Sequence, residues 1–264
     1  MAIAPAAPPA PLESDPPVSA APTAPSAPKA AADWFIKSRP AQPTELRFVP
    51  WLQSLDPADR EFAVAQLRVA TVSAGKYVCH AGTRPMYWIG VLDGLVKMSG
   101  ASADGSLVTF AGFPSGGWFG EGTVLKHEAY RYDIQTLRPS LLAALPVAAF
   151  TQLLDNSIGF NRFLMLQLNE RLGQFIGAKA ADLTLPVDER VARAIATLFD
   201  PALFPNVGPV LKIGQQELAY LVGVSRQRIN QAMPLLRAAG AVSAEYGGIR
   251  LLDLKRLQNY RSPG

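Results

Sequence analysis

Gln215–Ala238, QQELAYLVGVSRQRINQAMPLLRA, contains two short helical patterns joined at Gly223. Two helices that meet in so few residues need a small side chain at their crossing, apolar residues inside, and a bend at φ > 0 that glycine makes without strain. Ala219 supplies the first, Gly223 the last, and Leu218, Val222, Val224, Ile229 and Ala232 fall on the inner positions. Ser225 stands where a hydroxyl caps the second helix, which spans 225–238. The stretch therefore reads as a helix-turn-helix, the alternative being a surface helical hairpin with a polar outer face.

The first turns of such a second helix enter the major groove of duplex DNA, where side chains meet base edges. Arg226, Gln227, Asn230 and Gln231 occupy that face, while Arg228 and, from the first helix, Gln216 are placed to hold phosphates. Arginine matches the paired acceptors of guanine, and Asn or Gln the donor and acceptor of adenine. Charge agrees with this reading. From 209 to 264, eight Lys and Arg face three acids, a local +5, whereas the whole chain carries +4 and its first 208 residues −1. A confined positive end attracts the phosphate backbone. AVSAEYGGIRLLD (241–253) then reads as two short strands turning at Gly247 and Gly248, a wing. Pro234 is the discordant residue: it deletes the bond to the carbonyl of Asn230, so a kink or an early stop is expected there.

At the other end, nineteen of the first thirty residues are Ala or Pro without apolar periodicity, and residues 1–43 are read as a disordered tail. The stretch lacks the basic start and continuous apolar core of a secretory signal, and no eighteen-residue apolar run occurs, so no membrane role and a cytoplasmic location are expected. Cys79 is the single cysteine, which excludes an internal disulfide and a four-thiolate iron–sulfur cluster on one chain. His80 and His127 are the two histidines. Neighbours on a strand point to opposite faces, so Cys79 and His80 do not jointly ligate a metal or haem. No catalytic set has the spacing of a nucleophile elbow or triad, and the protein is read as a non-enzyme.

Between Phe48 and Phe150 short apolar runs alternate with glycines: VSAGKYVCHAG, YWIGVLDGLVKMSG, GSLVTFAGF, GGWFGEG and YDIQTLRPSLLAALP. Strands of this length and spacing predict an antiparallel roll able to enclose a small ligand, here assigned to 44–155. The period then changes. Leu164, Leu168, Leu172, Phe175 and Ala178 recur at helical spacing, predicting a long helix over 156–184 whose stripe forms a two-chain seam. Residues 185–258 complete the DNA-binding unit, with 259–264 a short tail. The fold class is α+β: a jelly-roll-like β-roll, a long helix and a winged helix-turn-helix.

In that order of parts, GLVKMSG (94–100), GGWFGEG (116–122) with Arg131 ten residues after Glu121, DERVARAIATLF (188–199) and QQELAYLVGVSRQRINQ (215–231) resemble the family of the cyclic-AMP receptor protein and the fumarate–nitrate regulator. The resemblance spans Phe48 to Leu257. It implies a bacterial transcription regulator, homodimeric through the long helix, hinged near Leu185–Glu189, reading a palindromic operator and working with RNA polymerase. Glu121 matches the carboxylate that accepts a ribose hydroxyl, Gly120 its backbone neighbour, and Arg131 the guanidinium that pairs a cyclic phosphate. The other reading pairs Glu121 with Arg131 across two strands. Tyr132 and Asp133 replace the small residues that follow that arginine, Phe175 and Ile176 replace hydroxyls that contact adenine, and Gln227 replaces a base-reading carboxylate. The effector thus stays open between cyclic AMP, another nucleotide or small molecule, and none. Two readings from other classes are a cupin-like enzyme, which needs more histidines, and a ligand-binding module working through protein partners, which leaves Arg226 and the local charge unexplained.

Overall fold

The glycine-punctuated runs pair into two antiparallel sheets. In the computed structural model, which describes residues 33–262 except 103, 104 and 106, one sheet has the order β1-β2-β9-β4-β7 and the other β3-β8-β5-β6. Their strands are β1 (Arg39–Pro40), β2 (Arg68–Val72), β3 (Tyr77–Cys79), β4 (Tyr87–Asp93), β5 (Leu95–Ala101), β6 (Leu107–Pro114), β7 (Trp118–Phe119), β8 (Asp133–Thr136) and β9 (Ser140–Pro146). Short helices α1 (Pro43–Leu46) and α2 (Pro57–Gln66) lie between β1 and β2, α3 (Glu121–Leu125) between β7 and β8, and α4 (Val147–Asn156) follows β9. The expected roll is present.

Residues 33–43 depart from the expected tail. Arg39 and Pro40 pair with Val69 and Arg68, Trp34 donates its indole N–H to the Val78 carbonyl at 3.2 Å, and Phe35 stacks on Tyr87 with ring centroids 3.8 Å apart. Two aromatic side chains anchor a stretch that composition alone assigns to the Ala/Pro segment. Residues 1–32 of that segment and 263–264 lie outside the described residues.

Trp51, Trp88, Trp118, Phe150 and Phe160 form an aromatic cluster, each at most 2% exposed. Trp88 and Trp118 approach to 4.4 Å between centroids, and a Cβ on Gly90 would fall inside the Trp118 ring, so β4 needs glycine there. Phe160 belongs to α5 (Ile158–Thr184), a 27-residue helix capped by Ser157. The cluster thereby fixes the start of the long helix to the roll.

After α5 come α6 (Val187–Leu198), β10 (Val210–Leu211), α7 (Gln215–Val222), α8 (Arg226–Ala238), β11 (Val242–Glu245), β12 (Gly248–Leu251) and α9 (Leu254–Gln258). Pro186 stands between α5 and α6, where a proline cannot continue a helix, so the chain breaks at Leu185–Pro186. Strands β10, β12 and β11 make the wing, with Glu245 opposite Gly248. The segment 259–262 is packed rather than a free tail: Tyr260 is buried, and Glu189 accepts both the Arg261 guanidinium at 2.8 Å and the Ser262 backbone N–H at 3.1 Å.

The stripe on α5 is corrected in one respect. Leu164 is 2% exposed and lies in the core of its own roll, together with Phe160. Gln167, Arg171, Gln174 and Ala181 continue that inward face at helical spacing, while Leu168, Leu172, Phe175 and Ala178 are exposed. So are Met165, Leu166, Ile176 and Leu183, which the spacing argument missed. One helix carries two stripes, one inward and one outward, and a single run of leucines samples both.

Candidate nucleic-acid interface and effector cradle

The helix-turn-helix forms as its local chemistry dictates. Gly223 ends α7 at φ 70°, ψ 36°, with its N–H on the Ala219 carbonyl, and this left-handed geometry is strained for any residue with a Cβ. Ser225 caps α8, its hydroxyl accepting the Arg228 N–H at 3.3 Å. Leu218, Ala219, Val222, Ile229, Ala232, Met233 and Leu236 are buried, and Val224 packs partly buried against them. Helix α8 continues through Pro234 to Ala238 instead of stopping early. Pro234 is solvent-exposed, and the lost N–H falls after the base-facing turns.

On the opposite face, Arg226, Gln227, Asn230 and Gln231 are all exposed, as are Ser225, Arg228 and Gln216. Arg228 lies 3.4 Å from the Gln231 side-chain oxygen, and Arg226 makes no ion pair among the described residues. A guanidinium without a partner among the described residues, beside three amides on a capped helix, has the chemistry to meet base edges and phosphates. At the wing tip, Tyr246 is fully exposed and Arg250 pairs with Glu245 at 2.8 Å.

Helix α7 also rests on the roll, which the spacing of residues did not indicate. Arg138 pairs with Glu217, the Lys97 ammonium lies 5.2 Å from the centre of the Tyr220 ring, and Leu221 packs on Gly112. Lys97 is buried, and desolvation lowers its pKa from the ordinary lysine value.

Inside the roll, Gly120 takes φ 89° against the Tyr130 ring and opens α3, so that Glu121 points inward and is 4% exposed. Its partner is Arg171 of α5, Nε to Oε1 at 3.0 Å, and not Arg131. That contact is an ion pair without hydrogen-bond geometry; the hydrogen bond of Arg171 runs from Nη2 to the Trp118 carbonyl at 2.6 Å, and the guanidinium lies 5.0 Å over the Phe113 ring. Arg131 turns outward, 78% exposed, and pairs with Glu128 at 3.0 Å. Both expectations for Arg131, as a phosphate partner in the cradle and as a cross-strand partner of Glu121, are therefore unmet in this structure. Tyr132 does face the cradle: its ring meets Tyr130 edge-on, its hydroxyl lies 3.4 Å from Thr123, and burial pushes its pKa up to about 12. Asp133 is held elsewhere, accepting the Ala81 N–H at 2.9 Å and lying 3.4 Å from His80. Glu121 Oε2, Arg171 Nε and the Gln174 amide nitrogen are buried without a hydrogen-bond partner among the described residues. Phe175 and Ile176 are 43% and 62% exposed, so neither fills the cradle from this chain.

Arg171 escaped the sequence reading because nothing near it in the chain marks it. Its signal is an arginine on the inward 4-3-4-3 face of α5 opposite a buried carboxylate fifty residues earlier. Among the described residues no group of three His, Cys, Asp or Glu could hold a metal ion. No helix of the described residues is long and apolar enough to cross a membrane.

Comparison with known proteins gives the same two units in the same order. Residues 69–157 match the model of the cyclic nucleotide-binding domain and residues 189–260 that of the Crp-like helix-turn-helix domain. The chain is 29% identical over 170 residues to the transcriptional regulator SdrP of Thermus thermophilus, covering 64% of this chain and 80% of the relative. It is 24% identical over 195 residues to the cAMP-activated global transcriptional regulator CRP of Pasteurella multocida, covering 72% of this chain and 92% of the relative. A solved CRP/FNR-family regulator from Thermus thermophilus shares the fold with a TM-score of 0.53 at 24% identity, over 74% of this chain and all of that one. With the roll, the long helix and the Ser225-capped recognition helix in one chain, and both family models matched in sequence order, this protein belongs to the Crp/Fnr family of DNA-binding transcription regulators.

Proposed function

We propose that the protein acts as a homodimer that reads a palindromic site, two copies of α8 presenting Arg226 to guanines in half-sites ~34 Å apart. The observation that carries this reading is the exposure of Arg226, Gln227, Asn230 and Gln231 on one face of a helix whose other face, Ile229, Ala232, Met233 and Leu236, is buried. The pairing surface is the outward stripe of α5, where Met165, Leu172, Ile176 and Leu183 recur at intervals of seven, four and seven and are 59–73% exposed. Gln227 in place of a carboxylate removes an acceptor-only group, so the neighbouring base is read by a different rule from that of the cyclic-AMP receptor protein. Contact with RNA polymerase and a cytoplasmic location follow from this role.

The roll offers a small effector one free carboxylate oxygen, Glu121 Oε2, and offers a cyclic phosphate no guanidinium from Arg131. We therefore read it as a cradle that does not hold cyclic AMP in the family's usual way. Calorimetric titration with cyclic AMP should show no saturation, and a submicromolar constant would overturn that part.

Selection of bound sites from random DNA by the full chain tests the main proposal. Enriched inverted repeats are expected, and Arg226→Ala should cost ~1–3 kcal/mol and flatten preference at one symmetric base pair. Equal binding of every sequence by the unaltered protein would refute it.

A further inference from the structure

A cleft of about 600 Å³ opens between the 33–37 turn, the β2–β3 connection and the loop leading into β4. It borders the cradle through Tyr130 but contains neither Glu121 nor Arg171. Trp34, Tyr77 and Tyr87 supply aromatic walls, and its Lys and Arg residues are Lys37, Lys76 and Arg84, with no carboxylate in the lining among the described residues. None of these three cations makes an ion pair among the described residues.

The walls are held in place by contacts within the chain. Phe35 stacks on Tyr87, the Trp34 indole is bonded to the β3 backbone, and Tyr77 lies with its ring centroid 4.5 Å from that of His80. Asp133 is near His80, but its Oδ1 already accepts the Ala81 N–H. Cys79, in the floor, is buried, and burial raises its pKa so that the thiol stays protonated. A protonated, buried thiol is neither nucleophile nor metal ligand, so the chemistry available is binding.

We propose that this cleft binds a planar aromatic anion, a ring system bearing a carboxylate or phosphate. Rings stack on aromatic walls, unpaired Lys and Arg hold the anion at the rim, and the volume lies within the ~300–1,000 Å³ of small-molecule sites. The site is separate from the cradle and does not depend on how the cradle is read.

The full chain is titrated calorimetrically at low salt with 5′-AMP, indole-3-acetate and salicylate, alongside Lys76→Glu/Arg84→Glu and, as a charge control outside both the cleft and the cradle, Arg60→Glu on the exposed face of α2. Circular dichroism and thermal unfolding confirm that each variant is folded. At least one probe should saturate below ~1 mM, weaken by roughly tenfold or more in the double charge reversal, and change less than about twofold in Arg60→Glu. Saturation by none of the three below ~1 mM, affinity that survives the double charge reversal, or an equal loss in Arg60→Glu would each overturn the proposal.

Discussion

Arg171→Met removes one member of a buried ion pair and leaves the other in place. Arg171 and Glu121 side chains are 12% and 6% exposed, and the same guanidinium bonds the Trp118 carbonyl, so the change strands a carboxylate and a carbonyl together. At 3.0 Å the pair attracts by ~5 kcal/mol at an effective dielectric of about 20, most of which offsets the cost of taking both charges out of water. Breaking it from one side should cost ~3–5 kcal/mol, because the remaining charge has no compensation, whereas Glu121→Leu/Arg171→Met should recover most of that loss. Urea unfolding followed by tryptophan fluorescence reads this directly, since Trp51, Trp88 and Trp118 all lie in one roll cluster and are at most 2% exposed. If the single variant loses under ~1 kcal/mol, or the double variant loses as much as the single, the ion pair does not hold α5 to the roll.

The two stripes of α5 should separate by mutation. Leu164→Ala should cost ~2–5 kcal/mol of stability with the dimer kept, whereas Leu172→Glu should leave the fold intact and dissociate the dimer in sedimentation, weakening operator binding; a Leu172→Glu protein that sediments as a dimer would count against the seam. In the turn, Gly223→Ala should cost ~1–2 kcal/mol through its left-handed backbone, and Ser225→Ala ~0.5–2 kcal/mol through the lost cap, both seen as lower midpoints in thermal unfolding. For pH, the Arg39 guanidinium beside Glu45 holds that carboxyl below its ordinary value of 4.5, and the Ser262 N–H with Arg261 does the same for Glu189. Groups depressed in the folded state stabilise it above the unfolded pKa, so their contribution should be complete near neutrality and lost as pH falls below about 4.5; Glu45→Gln and Glu189→Gln should each flatten the acid limb of the stability curve.

The helix-turn-helix was legible because its requirements are local. Ala219, Gly223 and Ser225 lie within seven residues, and each is demanded by backbone geometry or an orphan N–H that no distant contact can replace. The roll was legible as a class, from strand-length apolar runs between glycines. What spacing alone did not resolve was direction. Leu164 and Leu168 are one turn apart on the same helix, yet one packs in the core with Trp51 and Phe160 while the other faces outward, because the roll covers only one side of α5. Arg131 follows Glu121 at the expected interval, but its side chain turns to Glu128, and the cradle carboxylate is met instead by Arg171 from a helix fifty residues on. The anchorage of residues 33–43 was not legible for a similar reason, since Trp34 and Phe35 are held by Val78 and Tyr87, far along the chain. Amino-acid order by itself determined the DNA-reading unit, the succession of parts and the location of positive charge, all set by neighbours along the chain. Which faces are buried, which arginine meets the carboxylate and where α7 rests on the roll were decided by packing between distant segments, where burial removes water and selects among partners that local geometry leaves equivalent.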